Sequence, residues 1–208
     1  PIQGEGGDNY FRSAFIHQLR EIADEREVML IFDEVQTGMG STGKWWDWMN
    51  HGVKPDLMVF GKKTSVCGFA STGRVDEVEG VFRVGSRISS TFEGNLVDMM
   101  RCQRLVEIMA EDHLVDNARN MGLVLQTTLS NVQSAFPEIN NLRGRGLWAA
   151  FDLPSTERRN ALLNACFKNK LLVIPCGQRS LRLRPSLDIT SEAIEEAGRL
   201  LRESMQSL

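Results

Sequence analysis

Residues 28–38 have the sequence VMLIFDEVQTG, and this stretch decides the fold class. Its first five residues are apolar without any polar alternation, which predicts a short strand that is covered on both faces, as in a parallel sheet. The apolar run Leu57–Phe60 predicts a second strand of the same kind. Helix-like and strand-like segments alternate along the rest of the chain, and this alternation is typical of an α/β fold.

The periodicity of apolar residues predicts further elements outward from these two strands. Helices are predicted over 15–26 (with Ser13 as a possible N-cap), 96–110, 114–132, 158–168 and 191–207. Further strands are predicted over 147–153, 171–175 and 180–184, with short ones near Phe69 and Phe82. A boundary near residue 110 divides the chain into two parts, 1–110 and 111–208, of which the second has an α+β pattern.

Composition excludes several classes of function. The 208 residues carry a net charge of −3 with acids and bases interspersed, which argues against binding nucleic acid by phosphate neutralisation. No apolar run approaches the roughly 18 residues of a membrane span. The four cysteines, at positions 67, 102, 166 and 176, form no CxxC pair, and the three histidines are scattered, so no metal site is predicted. A reducing, cytoplasmic location is expected.

Polar residues follow both predicted strands of the first part. Asp33 and Glu34 come directly after the first strand, and Gly61, Lys62 and Lys63 follow the second. In open α/β sheets, ligands bind at the carboxyl ends of strands. A carboxylate there can hold a cation or a protonated ring nitrogen, and a lysine can act as an amine nucleophile.

Two kinds of enzyme compete for these residues. A nucleotidase phosphate loop requires Gly-x-x-x-x-Gly-Lys-Ser/Thr, but Asp56 occupies the first glycine position and Lys63 that of Ser/Thr. A pyridoxal phosphate enzyme requires a lysine and an acid that keeps the pyridine nitrogen protonated. Asp33 and Lys62 lie 29 residues apart, which suits adjacent or near-adjacent strands of one sheet. The pair by itself is a weak signal.

Four motifs in order give the pair more weight: PIQGEGG at 1–7, DEVQTG at 33–38, FGKK at 60–63 and RLRP at 182–185. Together they resemble the second half of a class III (ornithine/4-aminobutyrate-type) pyridoxal phosphate aminotransferase, over essentially the whole chain. The resemblance implies fold-type I. Residues 1–110 would form the C-terminal part of the large cofactor-binding domain, whose sheet is mixed or parallel, and 111–208 would form the C-terminal small domain.

Three less universal stretches most resemble the lysine 6-aminotransferase subgroup: GKKTSVCG at 61–68, RISSTFEGNL at 87–96 and RGRGL at 143–147. This resemblance implies transfer of the terminal amino group of L-lysine to 2-oxoglutarate, giving glutamate and 2-aminoadipate 6-semialdehyde. Two alternatives remain open. One is another ω-amine donor, 4-aminobutyrate or ornithine, and the other is an inactive fragment that serves only for subunit contact.

The resemblance assigns cofactor roles residue by residue. Lys62 matches the lysine that forms the Schiff base with pyridoxal 5′-phosphate, with Lys63 as its rival. Asp33 matches the acid that pairs with the pyridine nitrogen. Val35 would pack against one face of the ring, and Gln36 would lie near the ring hydroxyl.

Substrate and partner roles follow in the same way. Thr91 matches the residue that donates its hydroxyl to the phosphate of the neighbouring subunit's cofactor, which implies a homodimer with the active site at its interface. Arg182, with Arg184 as the alternative, matches the arginine that binds a substrate carboxylate. Glu5 matches the glutamate that covers this arginine and moves aside for 2-oxoglutarate. An uncovered buried cation would be costly.

The chain begins at Pro1, without an initiator methionine. In enzymes of the family, the glycine-rich turn that seats the phosphate and the aromatic residue that stacks on the cofactor lie upstream of this point. We therefore expect the N-terminal half to be absent, the 208 residues alone to be impaired or inactive, and strand edges to be exposed.

Overall fold

The computed structural model describes residues 1–77, 79–80, 83–87, 91 and 93–208. The strands are β1 (Ile2–Gln3), β2 (Asn9–Tyr10), β3 (Ile31–Asp33), β4 (Leu57–Phe60), β5 (Gly68–Ser71), β6 (Asn140–Arg145), β7 (Trp148–Asp152), β8 (Ile174–Cys176) and β9 (Ser180–Leu183). The helices are α1 (Ser13–Glu25), α2 (Trp48–His51), α3 (Leu96–Glu111), α4 (Leu114–Ala135), α5 (Thr156–Lys168) and α6 (Ser191–Gln206). The fold is therefore mixed α/β, as predicted.

The chain divides into two compact units whose limits differ from a single boundary at residue 110. The first consists of residue 1, 11–39 and 46–112, and the second of 2–10, 40–45 and 113–208. Segments 2–10 and 40–45 precede the predicted boundary but belong to the second unit, because their backbone and side chains bond to its strands. An example is the amide of Leu147, which donates to Ser41 O at 2.9 Å.

The first unit is built on a three-stranded sheet of order β3-β4-β5. Strands β3 and β4 are parallel, with Phe32 opposite Met58 and Asp33 opposite Val59, and β5 is antiparallel to β4. Phe32 packs against Ile16 of α1 and Val53 on one face of the sheet. The prediction of two covered faces is wrong for β3 in the described residues: Ile31, which alternates with Phe32 and so points to the other face, is 55% exposed.

Two local predictions in the first unit need correction. Helix α1 begins at Ser13 and has Arg12 in the N-cap position, and the Ser13 hydroxyl shares a hydrogen bond of 3.1 Å with His51 Nδ1 instead of capping the helix. The strand predicted from Val28 begins only at Ile31. The strand predicted near Phe69 is present as β5, whereas the one near Phe82 lies outside the described residues.

The second unit is an antiparallel sheet of order β6-β7-β9-β8, packed against the long helices α4, α5 and α6. Every residue of β7 and β9 is buried, and Ala149, Phe151, Leu181 and Leu183 join the hydrophobic core of this unit. Strand β6 was not predicted, because its sequence NNLRGR is polar and its register with β7 is irregular between Asn140 and Arg143. Within the described ranges, every helix is too short or too polar to cross a membrane.

Candidate active site

Asp33 and Lys62 follow neighbouring strands, as the sequence predicts. Asp33 ends β3 and pairs in register with Val59 of the parallel strand β4, and Lys62 comes three residues after Val59. Because β3 and β4 are parallel, both side chains emerge at the same edge of the sheet, where ligands of α/β folds bind. The adjacency inferred from their separation along the chain is therefore confirmed.

The Asp33 carboxylate is exposed and is fixed by its own turn. Its Oδ1 accepts a hydrogen bond from the amide of Val35 at 2.9 Å, which is an Asx-type turn. In the described part of the chain, no group bonds its second oxygen. Asp33 therefore presents one oriented, available carboxylate oxygen at the end of β3.

The neighbouring Glu34 has a different, structural role. It is buried and accepts hydrogen bonds from the Thr37 hydroxyl at 2.5 Å and from the amides of Asp47 and Trp48 at 2.9 and 2.7 Å. Burial raises the pKa of the Glu34 carboxyl, and the charge of Asp47 adds to this rise, although the hydrogen bonds oppose it. Successive strand residues point to opposite sides, and this separates an exposed carboxylate from one that organises the loop before α2.

The two adjacent lysines also differ. Lys63 Nζ donates to the carbonyl oxygens of Gln36 at 2.6 Å and Gly38 at 2.7 Å, so it ties the loop after β4 to the loop after β3. Lys62 is exposed, and among the described residues its amine has no hydrogen-bond or salt-bridge partner. Its φ of 52° lies in the left-handed region, a strained conformation that is common at functional sites. This arrangement favours Lys62 over Lys63 as the reactive amine.

Val35 and Gln36 belong to the same cluster as Lys62. A Cβ added to Gly61 would lie 3.6 Å from both methyl carbons of Val35, so the Val35 side chain packs on the backbone immediately before Lys62. Gln36 is tied to this loop through the Lys63 amine. Four predicted cofactor residues thus lie on two linked loops of the first unit: Asp33, Val35, Gln36 and Lys62. Thr91 is an exposed turn residue.

The alkylation rates of the cysteines test which thiols are buried. Cys67 is exposed, with its sulfur 3.1 Å from where a Gly61 Cβ would lie, whereas Cys166 and Cys176 are buried. Burial raises the pKa of the Cys166 thiol and, together with the charge of Asp8, raises the pKa of Cys176 to about 11. We expect iodoacetamide at pH 8 to modify Cys67 faster than either, by about 100-fold or more, since the thiolate reacts.

Peptide mass spectrometry over a time course measures the three rates. The variant Cys67→Ser is the control and removes the fast phase. Equal or faster labelling of Cys176 in the folded protein would contradict the burial described above.

The predicted carboxylate-binding pair lies in the second unit. Arg182, in β9, is 8% exposed and donates through Nη2 to Glu5 Oε1 at 2.7 Å. Glu5 stands on the loop between β1 and β2, and its side chain is 70% exposed. Arg182 Nε and Nη1 are buried without a hydrogen-bond partner in the described residues. A covered guanidinium with unused donors suits a carboxylate that takes the place of Glu5.

The guanidinium of Arg184, the alternative to Arg182, is already hydrogen-bonded and stacked. Its Nη2 donates to Asp8 Oδ2, its Nη1 donates to Leu183 O at 2.9 Å, and its guanidinium stacks on the Trp148 ring at 3.6 Å. Arg184 therefore has the contacts of a structural residue, and the geometry favours Arg182.

Arg143 holds the loop that carries Glu5. It donates through Nε to Asp8 O at 2.9 Å and through Nη2 to Gly7 O and, at 3.0 Å, to the Ser180 hydroxyl. Its charge is balanced by Asp152, 2.9 Å away. Although burial opposes the shift, hydrogen bonds from Asn141 and Ser180 and the Arg143 charge lower the pKa of Asp152.

The sequence analysis missed Asp8, which is buried beside Arg182 and Arg184. The available signal was an acid three residues after Glu5 in a glycine-rich motif. In the described ranges, no group of three or more His, Cys, Asp or Glu side chains is arranged to hold a metal ion.

Comparison with known proteins places these residues in context. Residues 1–205 match the model of the family described as aminotransferase class-III. The L-lysine-epsilon aminotransferase of Streptomyces clavuligerus is 42% identical over 211 residues, which cover 100% of this chain and 46% of that protein. A probable mitochondrial 4-aminobutyrate aminotransferase of Caenorhabditis elegans is 35% identical over 211 residues, covering 100% and 43%.

Among solved structures, the chain is similar to lysine aminotransferase from M. tuberculosis in the internal aldimine form. The TM-score is 0.96 and the identity 42%, with 100% of this chain and 48% of that chain covered. The chain thus spans about half the length of the curated relatives it matches.

Proposed function

The chain belongs to the class-III aminotransferase family, whose members depend on pyridoxal 5′-phosphate, and from this premise we propose that it supplies about half of an L-lysine 6-aminotransferase. The reaction transfers the terminal amino group of lysine to 2-oxoglutarate and yields glutamate and 2-aminoadipate 6-semialdehyde. One observation carries this proposal: a lysine amine without a partner among the described residues and an available carboxylate stand at the ends of adjacent parallel strands. Lysine is preferred as donor because identity is 42% to lysine enzymes and 35% to a 4-aminobutyrate enzyme.

The residues present fit the cofactor. Bound pyridoxal phosphate supplies an aldehyde that takes up an amino group and a ring that withdraws electrons from the substrate carbon. The available oxygen of Asp33 keeps the proton on the ring nitrogen. Lys62 Nζ would hold the cofactor and, once released, would act as the base that takes the proton from the substrate carbon bearing the amino group and as the acid that delivers it to the cofactor carbon.

Other residues of the chain orient the cofactor. Val35 would pack against one face of the ring, and Gln36 would lie near its hydroxyl. Thr91 would donate its hydroxyl to the phosphate held by a second copy, and the working enzyme would then be a homodimer with its active site at the interface. The first unit corresponds to part of the large, cofactor-binding domain and the second to the C-terminal small domain.

Arg182 and Glu5 allow one site to accept two different substrates. With lysine as donor, Glu5 stays on Arg182 Nη2 and neutralises the buried guanidinium, which would otherwise be costly to leave unpaired. When 2-oxoglutarate enters, one of its two carboxylates displaces Glu5 and takes Nη2 together with a neighbouring donor of the same guanidinium, in a bidentate pair.

Removing Glu5 is therefore expected to harm one half-reaction more than the other. In Glu5→Ala, the rate constant for the lysine half-reaction falls by about 10-fold or more, since an unpaired buried charge costs at least about 1.4 kcal/mol. The glutamate half-reaction changes by less than about threefold. Stopped-flow absorbance of the cofactor under single-turnover conditions measures both rates. Equal losses in the two half-reactions would reject the covering role of Glu5.

An amine panel tests the proposed function. A full-length protein of the relatives' size that contains these residues is incubated with 2-oxoglutarate and with L-lysine, L-ornithine or 4-aminobutyrate. Glutamate formation is measured, and lysine is expected to give the highest kcat/KM. A higher value for ornithine or 4-aminobutyrate would replace the lysine assignment with another ω-amine, and no glutamate from any donor would leave a subunit-contact role.

The same assay addresses the 208 residues alone, which we propose are impaired or inactive. The support for this is that relatives of the family are about twice as long. Wild-type turnover by the isolated 208-residue polypeptide would contradict this part of the proposal.

A further inference from the structure

A fully buried carboxylate lies beside the Arg182–Glu5 pair and has no role in the reaction proposed above. Asp8 is 0% exposed, and its Oδ2 accepts a hydrogen bond from Arg184. Its Oδ1 lies 4.0 Å from Arg182 Nη1, which is too far for a hydrogen bond. Both of these atoms are buried without a hydrogen-bond partner in the described part of the chain.

At this distance Asp8 affects the charge of Arg182 but not its hydrogen-bond donors. At 4.0 Å the Asp8 charge offsets the positive charge of the guanidinium. Because Asp8 accepts no hydrogen bond from it, the donors of Arg182 stay available to a ligand. Asp8 thus supplies charge compensation without occupying the binding site.

The charges of Arg182 and Arg184 are balanced only while Glu5 is in place. The guanidinium groups of Arg182 and Arg184 face the carboxylates of Asp8 and Glu5. A third guanidinium nearby, that of Arg143, pairs with Asp152, which also faces the exposed Arg179 at 3.9 Å. When Glu5 moves away, one positive charge is left uncompensated, which matches the single carboxylate that replaces it.

We propose that Asp8 is a fixed counter-charge that limits the Arg182 site to one carboxylate at a time, so that Glu5 and a dicarboxylate substrate exclude each other. This inference rests on the proposed function, in which Arg182 binds the substrate carboxylate. It makes Asp8 a positioning and specificity-determining residue.

The structure explains why Asp8 stays while Glu5 can move. The Asp8 backbone is held on both sides, since its amide donates to Gly4 O at 3.0 Å and its carbonyl accepts from Arg143 at 2.9 Å. Glu5, in contrast, extends a side chain that is 70% exposed. Burial raises the pKa of the Asp8 carboxyl, and the hydrogen bond and charge of Arg184 with the charges of Arg182 and Arg143 oppose that rise.

Removal of the Asp8 charge has a distinctive signature. Without the Asp8 charge, Arg182 attracts both Glu5 and an incoming carboxylate more strongly. While Glu5 is present, the two gains largely cancel, so the measured affinity for the incoming carboxylate changes little. In a Glu5→Gln background nothing charged competes, and the gain appears as tighter binding. Structural damage would instead weaken binding in both backgrounds.

The experiment measures the dissociation constant Kd of glutarate, an unreactive dicarboxylate, by isothermal titration calorimetry on the full-length protein with cofactor. Asp8→Asn is tested with Glu5 present and in the Glu5→Gln background. Asparagine tolerates the left-handed φ of 51° at this position. We expect Kd to fall by about 10-fold in the Glu5→Gln background, as for a charge removed several ångströms from the ligand. With Glu5 present we expect a change of less than about threefold.

Asp152→Asn is the matched control, because Asp152 is also a buried carboxylate of this unit but pairs with Arg143. In the Glu5→Gln background it should tighten glutarate much less than Asp8→Asn does, because its charge faces Arg143 and not Arg182. The Asp8 proposal alone is overturned if Asp8→Asn binds glutarate no more tightly than its parent in the Glu5→Gln background while that binding still depends on Arg182.

Glutarate binding that Arg182→Met leaves unaffected in the Glu5→Gln background overturns the proposed carboxylate site, and the Asp8 proposal with it. If Asp8→Asn does not fold, Asp8→Gly replaces it, because glycine accepts the same φ. Failure of both variants to fold assigns Asp8 to the fold and overturns the proposal.

Discussion

Replacing Lys62 with alanine is expected to lower kcat/KM for transamination by the full-length protein by about 10²–10⁴-fold or more. This range is what a positioned proton-transfer group contributes to the rate. A larger loss is expected if, as proposed, the same amine also holds the cofactor. Stability should change little, since the Lys62 side chain is exposed and its amine has no partner among the described residues. Initial rates with lysine and 2-oxoglutarate and thermal unfolding measure the two effects.

Lys63→Ala is the matched control, because the two lysines are adjacent and both exposed but only Lys63 is hydrogen-bonded to the neighbouring loop. It removes the hydrogen bonds to the carbonyls of Gln36 and Gly38 and should destabilise the protein by about 1–3 kcal/mol. Turnover should persist in this variant below its unfolding temperature. Borohydride reduction followed by peptide mapping should place the cofactor on Lys62. A label on Lys63, or normal turnover by Lys62→Ala, would reassign the reactive amine.

The adjacency of the two site strands was predictable, because it depends on local patterns. The run Leu57–Phe60 is recognisable as a buried strand from its composition and is present with those bounds. A separation of 29 residues leaves room for one crossover between parallel strands, so Asp33 and Lys62 could be placed at one sheet edge. The pair alone did not identify the chemistry. The resemblance to class III aminotransferases then indicated a pyridoxal phosphate enzyme.

Features that depend on long-range pairing were not predictable. Segments 2–10 and 40–45 join the second unit through contacts with strands more than 100 residues later, as when the Trp148 indole donates to the Ser41 hydroxyl at 2.9 Å. No local pattern encodes such contacts. The division of Asp33 and Glu34 into exposed and buried carboxylates follows from strand geometry, which composition does not reveal. The same holds for Asp8, whose importance comes from two arginines distant in sequence.

Asp33→Asn should impair catalysis while preserving the local fold. The asparagine carbonyl can still accept the hydrogen bond from the Val35 amide, so the turn after β3 is retained. The substitution removes the negative charge that we propose keeps the ring nitrogen protonated, and the electron withdrawal from the substrate carbon would weaken with it. We expect kcat to fall by about 10²–10³-fold, as when one preorganised electrostatic partner of a reacting group is removed. Thermal stability should change by less than about 0.5 kcal/mol, since the side chain is exposed.

Glu34→Gln provides the contrast, since it makes the same chemical change one residue along the chain. Glu34 is buried and accepts hydrogen bonds from Thr37, Asp47 and Trp48, so a poorly matched amide should cost about 1–3 kcal/mol of stability. Its effect on kcat, measured well below the unfolding temperature, should be smaller than that of Asp33→Asn. A catalytic loss confined to Glu34→Gln, with Asp33→Asn fully active, would mean that the wrong carboxylate has been placed opposite the ring nitrogen, because only an accessible charge at the end of β3 can fill that position.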